Sequence, residues 1–328
     1  MKYWYSQPGD GNDVFFGSEI RLTRNLSEFP FPCRLGTAAK TTINRVIYRA
    51  LSEIIPELNY CTTEELPPVN AVALCERLAI SADFTSVPGG AALVINSDES
   101  FTARLCYADH LRMYFRSPGC SLSEIFQNAD LTDDRLNSIL GFAFDKNLGF
   151  LTENPANLGT GMRASYIMHL PCISITDKTA RLTANLEKLG IILRPIDGEG
   201  MDGSSYLYRL SNRITMGIDE KSAISNLESL AMQIATLERS CREGNDEFRR
   251  QIDDAYEYFN TAETVSYEDA AERLALIRCD TPSDKIPVIN SLMLSTKPAN
   301  MICIDTNLAD KLLRDRTRAQ IIKDNILH

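Results

Sequence analysis

No apolar stretch in this 328-residue chain approaches the ~20 residues that a membrane-spanning helix requires. A membrane partner is therefore not expected. The start, Met1-Lys-Tyr-Trp-Tyr-Ser-Gln-Pro8, has none of the apolar core of a secretion signal, so the protein is expected in the cytoplasm. Histidine is scarce, with three in the chain, and the cysteines at 33, 61, 75, 106, 120, 172, 241, 279 and 303 never form a C-x-x-C pair. Zinc needs clustered Cys and His ligands, so a metal site is not expected. An odd number of scattered cysteines fits free thiols in a reducing compartment. A long basic stripe is also missing. Lys and Arg total 34 against 44 Asp and Glu, a net charge of −10, which disfavours nucleic acid as a partner. A nucleotide polyphosphate is not excluded, because it needs only a few converging arginines.

The organisation along the chain has two halves. Strand-like runs lie at 91–95, 101–106, 111–115 and 166–170. The short gap between the second and third allows a hairpin or one bent strand. Amphipathic helices are read at 41–51 and 181–189, with Gly190 as a C-terminal stop. From Asp219 the pattern turns helical. Ile224, Leu227, Leu230, Ile234 and Leu237 recur at spacings of three and four, one face of a helix. Gly244-Asn245 breaks it, and further helices are expected over 246–260, 266–279, 284–295 and 308–326. We divide the chain into 1–221 and a helical domain, 222–328.

The most informative segment is Asn147-Leu-Gly-Phe-Leu-Thr-Glu-Asn-Pro-Ala-Asn-Leu-Gly-Thr-Gly-Met-Arg-Ala-Ser165. It resembles the signature of the ATP:guanido phosphotransferases, which move phosphoryl groups from ATP to guanidinium nitrogens. Ser18-Glu-Ile-Arg-Leu-Thr-Arg-Asn25, Asp109-His-Leu-Arg112 and Leu210-Ser-Asn-Arg-Ile-Thr-Met-Gly217 resemble further motifs of the family. Arg314-Asp-Arg-Thr-Arg-Ala319 is similar to a motif of the bacterial protein-arginine kinases, one branch of that family. The resemblance implies an α/β (α+β) fold, an antiparallel sheet covered by helices, followed by a helical C-terminal domain. It also implies ATP and Mg²⁺ as cofactors. Protein arginines or phosphoarginines would be the partners, together with a homodimer mate, a Clp-type unfoldase and a zinc-containing activator.

Carried over by motif position, the ATP-phosphate arginines are Arg21, Arg112, Arg163 and Arg194, with Arg24 as a structural neighbour. Phosphoryl transfer depends on such positioning and charge neutralisation, and a planar guanidinium holds phosphate oxygens in pairs. Gly159 and Gly161 would let backbone approach a nucleotide. The acceptor side departs from the family. Ala108 stands where the base is expected and Asn154 where the reactive Cys is expected. Glu199 is the retained carboxylate, with Asp202 and Asp109 as other acids nearby. Glu19 replaces another phosphate-binding arginine and should reverse the charge beside the triphosphate. Losing a positioned base costs ~10²–10⁴-fold in rate. Arg314, Asp315 and Arg318 share a helix side and would form a phosphoarginine pocket by resemblance. The expected function is that of a protein-arginine kinase homologue with impaired or lost catalysis, acting as a phosphoarginine- and nucleotide-binding regulator of protein quality control. The alternative is an active kinase that uses Glu199.

Overall fold

The computed structural model describes residues 2–86, 89–196 and 205–326. The strands are β1 (Phe15–Arg24), β2 (Asn59–Thr62), β3 (Ala92–Ile95), β4 (Phe101–Leu105), β5 (Leu111–Pro118), β6 (Phe144–Asp145), β7 (Gly149–Phe150), β8 (Met162–His169), β9 (Ile191–Pro195) and β10 (Leu207–Asn212). The helices of the first half are α1 (Thr37–Ile54), α2 (Pro68–Glu76), α3 (Ala82–Thr85), α4 (Leu122–Leu140), α5 (Pro171–Ile175) and α6 (Thr179–Lys188). Then come α7 (Glu220–Arg242), α8 (Asp246–Thr261), α9 (Tyr267–Asp280), α10 (Ile286–Ser295), α11 (Pro298–Ile304) and α12 (Lys311–Ile326). Eight strands make one antiparallel sheet, in the order β2-β3-β4-β5-β1-β8-β10-β9. The fold class is the expected α+β arrangement, an antiparallel sheet flanked by helices.

Alternation along each strand gives the sheet two unlike faces. Ile20 and Leu22 of β1, Met113 and Phe115 of β5, and Met162 and Ala164 of β8 enter one core. The same core takes Ile43, Ile47 and Leu51 of α1, Leu122, Ile125 and Leu136 of α4, and Ile224, Leu227 and Ile234 of α7. The intervening residues (Glu19 and Arg21, Arg112 and Arg116, Arg163 and Ser165) therefore line the other face.

The 101–106 and 111–115 segments form a hairpin, β4 against β5. Helix 41–51 is longer at both ends, as α1. In α7 the apolar stripe runs as read except at its end. Leu237 is 44% exposed, and Glu238 is buried in its place. The Glu238 carboxylate accepts the Cys172 and Ile173 amides at 3.0 and 2.9 Å and is paired with Arg242. A buried acid is stable here because its oxygens are satisfied.

A second core joins the C-terminal helices to the N-terminal segment. Phe248, Phe259, Leu274, Ile289 and Ile322 pack with Trp4, Tyr5 and Phe16. The fully buried Arg278 of α9 fastens this junction. It donates to the Asn12 carbonyl at 2.6 Å, the Asp13 carbonyl at 3.1 Å and Asn290 Oδ1 at 2.8 Å. Replacing Arg278 by Met would strand buried carbonyls. We expect Arg278→Met to lower unfolding stability by about 2–4 kcal/mol, read from the denaturant midpoint.

Candidate functional site

The register places the predicted arginines together. Arg21 on β1 stands opposite Arg163 on β8 and Tyr114 on β5. Arg163 has Arg21, Arg194 and Arg112 as its charged neighbours, and burial followed by these three pushes its guanidinium down to about 10. Burial also lowers Arg21, with Arg112 and Arg104 adding to the effect. The Nε atoms of Arg21 and Arg163 are buried without a hydrogen-bond partner among the described residues. Arg21 makes one bond, from Nη2 to Asn157 Oδ1 at 2.9 Å. Arg194, on β9, is exposed. Arg21, Arg163 and Arg194 thus lie together without an ion-pair partner among the described residues, an arrangement that an added anion would relieve.

Arg112 has a partner. Its Nε and Nη2 donate to Asp109 Oδ2 at 3.1 and 2.8 Å. Burial works against the Arg112 charge, but Asp109 more than offsets it and raises the pKa. Asp109 is fully buried. Its Oδ1 accepts the Asn25 amide at 2.9 Å and the Glu153 N–H at 2.8 Å. Both oxygens are committed, so Asp109 acts as a joint between β1, the β4–β5 turn and the signature loop. It is not available to take a substrate proton in this geometry.

The departures from the family pattern have visible consequences. Ala108 lies half-buried in the β4–β5 turn, and a methyl group can accept no proton. The adjacent Tyr107 turns its hydroxyl to Asp83, and burial with that carboxylate pushes it up to about 12. Asn154 Oδ1 accepts the Ala156 N–H at 2.9 Å, capping the short turn Pro155–Asn157. Asn157 in that turn is the residue that holds Arg21. Glu199 and Asp202 lie outside the described residues.

Two expectations change in detail, and a third holds. Glu19 does not stand open beside the arginines. It is 4% exposed, its Oε2 accepts Arg116 Nε at 2.9 Å, and its Oε1 pairs with Arg209. Burial pushes its carboxyl up, yet Arg209, Arg116 and Arg104 outweigh that and hold it below the ordinary carboxylate range. Its charge is neutralised within the sheet. The two glycines approach the protein's own backbone: a Cβ on Gly159 would lie 2.2 Å from the Thr215 carbonyl oxygen, and one on Gly161 would lie 2.7 Å from that of Thr23. Arg24 is structural as expected, paired with Asp133 at 2.8 Å and stacked 3.5 Å over Phe150.

In α12, Arg318 is fully buried. It donates to the Thr296 carbonyl at 2.9 Å, to the Val265 carbonyl at 2.7 Å and to Asp315. Arg314 is half-buried and donates to the Leu308 and Ala309 carbonyls at 2.7 and 3.2 Å. The structure does not bring Arg314 and Arg318 onto one open surface.

Sequence reasoning missed the Glu19–Arg116–Arg209 triad, whose members meet only through sheet register. It also missed Asn157, although an Asn just after the Pro of the signature was a usable signal.

An antiparallel sheet flanked by helices, with a row of arginines on one face, places the chain in the α+β class. A family model, ATP:guanido phosphotransferase, C-terminal catalytic domain, matches residues 40–241. The protein-arginine kinase of Halothermothrix orenii is 30% identical, covering 99% of this chain and 97% of its own length. That of Symbiobacterium thermophilum is 32% identical, covering 98% and 95%. Among solved structures, a lombricine kinase aligns with a TM-score of 0.62 at 18% identity, covering 73% of this chain and 71% of its own. The duplicated taurocyamine kinase of Schistosoma mansoni aligns at 0.60 and 22% identity, over 78% of this chain and 39% of its own; both likenesses concern the fold. The chain belongs to the ATP:guanido phosphotransferase family, in the branch of the bacterial protein-arginine kinases.

Because the folded-state pKa of Glu19 is depressed, its ionic contribution to stability is present above the unfolded value and is lost as pH falls through the folded value. We expect the stability gap between wild type and Glu19→Gln to be constant above about pH 5 and to shrink on acidification below about pH 4, as followed by urea unfolding across pH.

Proposed function

We propose that this protein is a protein-arginine kinase homologue that binds nucleotide phosphates and phosphoarginine, with catalysis impaired or lost. It would then act as a regulator of protein quality control. The observation that carries this reading is the contrast within one site. Arg21, Arg163 and Arg194 are gathered without an ion-pair partner among the described residues, beside an Arg112 held by Asp109, while Ala108 and Asn154 supply neither base nor thiol.

ATP fits the donor set. Buried, unpartnered Nε atoms on Arg21 and Arg163 are the kind of groups that a phosphate satisfies. Arg194 and Arg163 would orient the polyphosphate, and Arg112, held by Asp109, would keep its fork fixed. Mg²⁺, carried on the nucleotide phosphates, would supply charge neutralisation. What the described residues lack is an acceptor for the guanidinium proton, since Asp109 is committed.

The phosphoarginine part of the reading rests on Arg314, Asp315 and Arg318 by motif. With Arg318 enclosed, a ligand would meet Arg314 and Asp315 first. A second reading, an active protein-arginine kinase using Glu199, is favoured by the retention of all four phosphate arginines.

Incubation with Mg²⁺, γ-labelled ATP and an arginine-rich acceptor separates the two. We expect no acid-labile, base-stable label above background. Label that disappears in Glu199→Ala would overturn the impaired-kinase reading and make Glu199 the working carboxylate. Returning the missing groups should raise the signal: Ala108→Glu with Asn154→Cys is expected to increase labelling by ~10²-fold or more, measured in the same assay.

A further inference from the structure

Away from the arginine face, the structure assigns a redox modification site to Cys172 and Cys241: a dithiol that closes to a disulfide with a low-molecular-weight disulfide as oxidant. This inference is independent of the kinase reading.

The two residues lie 69 positions apart in the chain, yet their sulfurs touch, with Sγ–Sγ 2.6 Å. Cys172 sits on α5, directly after β8, and Cys241 sits in the last turn of α7. Cys172 is fully buried and Cys241 is half-buried. The Cys172 thiol donates to the Cys241 carbonyl at 2.9 Å, and Asn245 Nδ2 reaches the Cys172 sulfur at 3.6 Å. On the other side, Lys178 Nζ and Thr176 Oγ1 each lie 3.6 Å from the Cys241 sulfur.

This asymmetry assigns the roles. Cys241 is the reachable thiol, with the Lys178 ammonium against its sulfur. Cys172, pushed up to about 12 by burial and by Cys241, is the resolving thiol. In the first step the Cys241 thiolate attacks one sulfur of oxidised glutathione. One glutathione thiolate leaves, and a mixed disulfide forms on Cys241. In the second step Cys172 gives its proton to the departed thiolate or to solvent and attacks Cys241 Sγ, releasing the second glutathione. Two protein thiols are oxidised and one glutathione disulfide is reduced to two thiols.

The packing around the pair makes closure easy. Glu238, one turn before Cys241 on α7, already binds the Cys172 and Ile173 amides. Arg242, the next residue after Cys241, donates to the His169 carbonyl at the end of β8. The helix end and the strand end are thus fixed to each other before any bond forms, so the sulfurs need little movement. A cross-link over so long a separation removes unfolded-state entropy and should stabilise the fold. Exposed Cys33 and Cys303 serve as internal controls for simple surface thiolation.

The test treats reduced protein with oxidised glutathione, alkylates the remaining thiols, digests without reductant and maps disulfides by mass spectrometry, with melting followed in parallel. We expect a Cys172–Cys241 cross-linked peptide that dithiothreitol removes, and a melting temperature raised by a few degrees. Cys241→Ser should abolish both effects, and Cys172→Ser should leave glutathione trapped on Cys241. The proposal is overturned if wild-type Cys241 retains glutathione without cross-linking to Cys172. It is equally overturned if both thiols remain alkylatable while Cys33 and Cys303 are modified. Cys241→Ser, at a half-buried position, keeps the test decisive should Cys172→Ser fail to fold.

Discussion

Mutual repulsion among guanidinium groups on one face of a sheet is the constraint on which the rest of this structure depends. Arg163 is ringed by Arg21, Arg194 and Arg112, and such a cluster persists only if something else holds it in place. The opposite face does so. There the same strands bury Ile20, Leu22, Met113, Met162 and Ala164 under three helices. A one-residue slip of β1, β5 or β8 would turn arginines into that core, so hydrophobic burial fixes the register that assembles the charged row. The polar joint at Asp109 completes the support by locking Arg112 and tying the signature loop to β1.

Within that frame the sheet treats its two acids differently. Asp109 serves the site from behind. Glu19, by contrast, is enclosed between Arg116 and Arg209, so that its charge is spent internally. The signature loop also turns two amide side chains back onto the protein. Asn154 spends its carbonyl on a local cap, and Asn157 spends its own on Arg21. Arg21, Arg163 and Arg194, by contrast, have no ion-pair partner among the described residues.

Some of this was readable from residues alone. The C-terminal helices follow the apolar spacing closely: 246–260 and 266–279 become Asp246–Thr261 and Tyr267–Asp280. Gly190 takes a positive φ of 74° just after α6, as a helix stop should. The convergence of Arg21, Arg112, Arg163 and Arg194 followed from motif position. Other features were beyond sequence because they depend on pairing between distant strands. Glu19 meets Arg116 through β1–β5 register and Arg209 from a strand nearly two hundred residues away. Arg318 shares a helix side with Arg314 by spacing, yet it is enclosed because the Val265 and Thr296 carbonyls converge on it. Glu238 likewise interrupts an apolar stripe because two amides of α5 need an acceptor.

The proposed role of the arginine row is to hold an anion. The most direct measurement is calorimetric titration of Mg²⁺-ATP into wild type and into Arg163→Gln, at low and at physiological salt. Saturable binding in the wild type that weakens at least ~10-fold in the variant and with added salt is the predicted result. No binding to the wild type, or equal binding to both proteins, would contradict it.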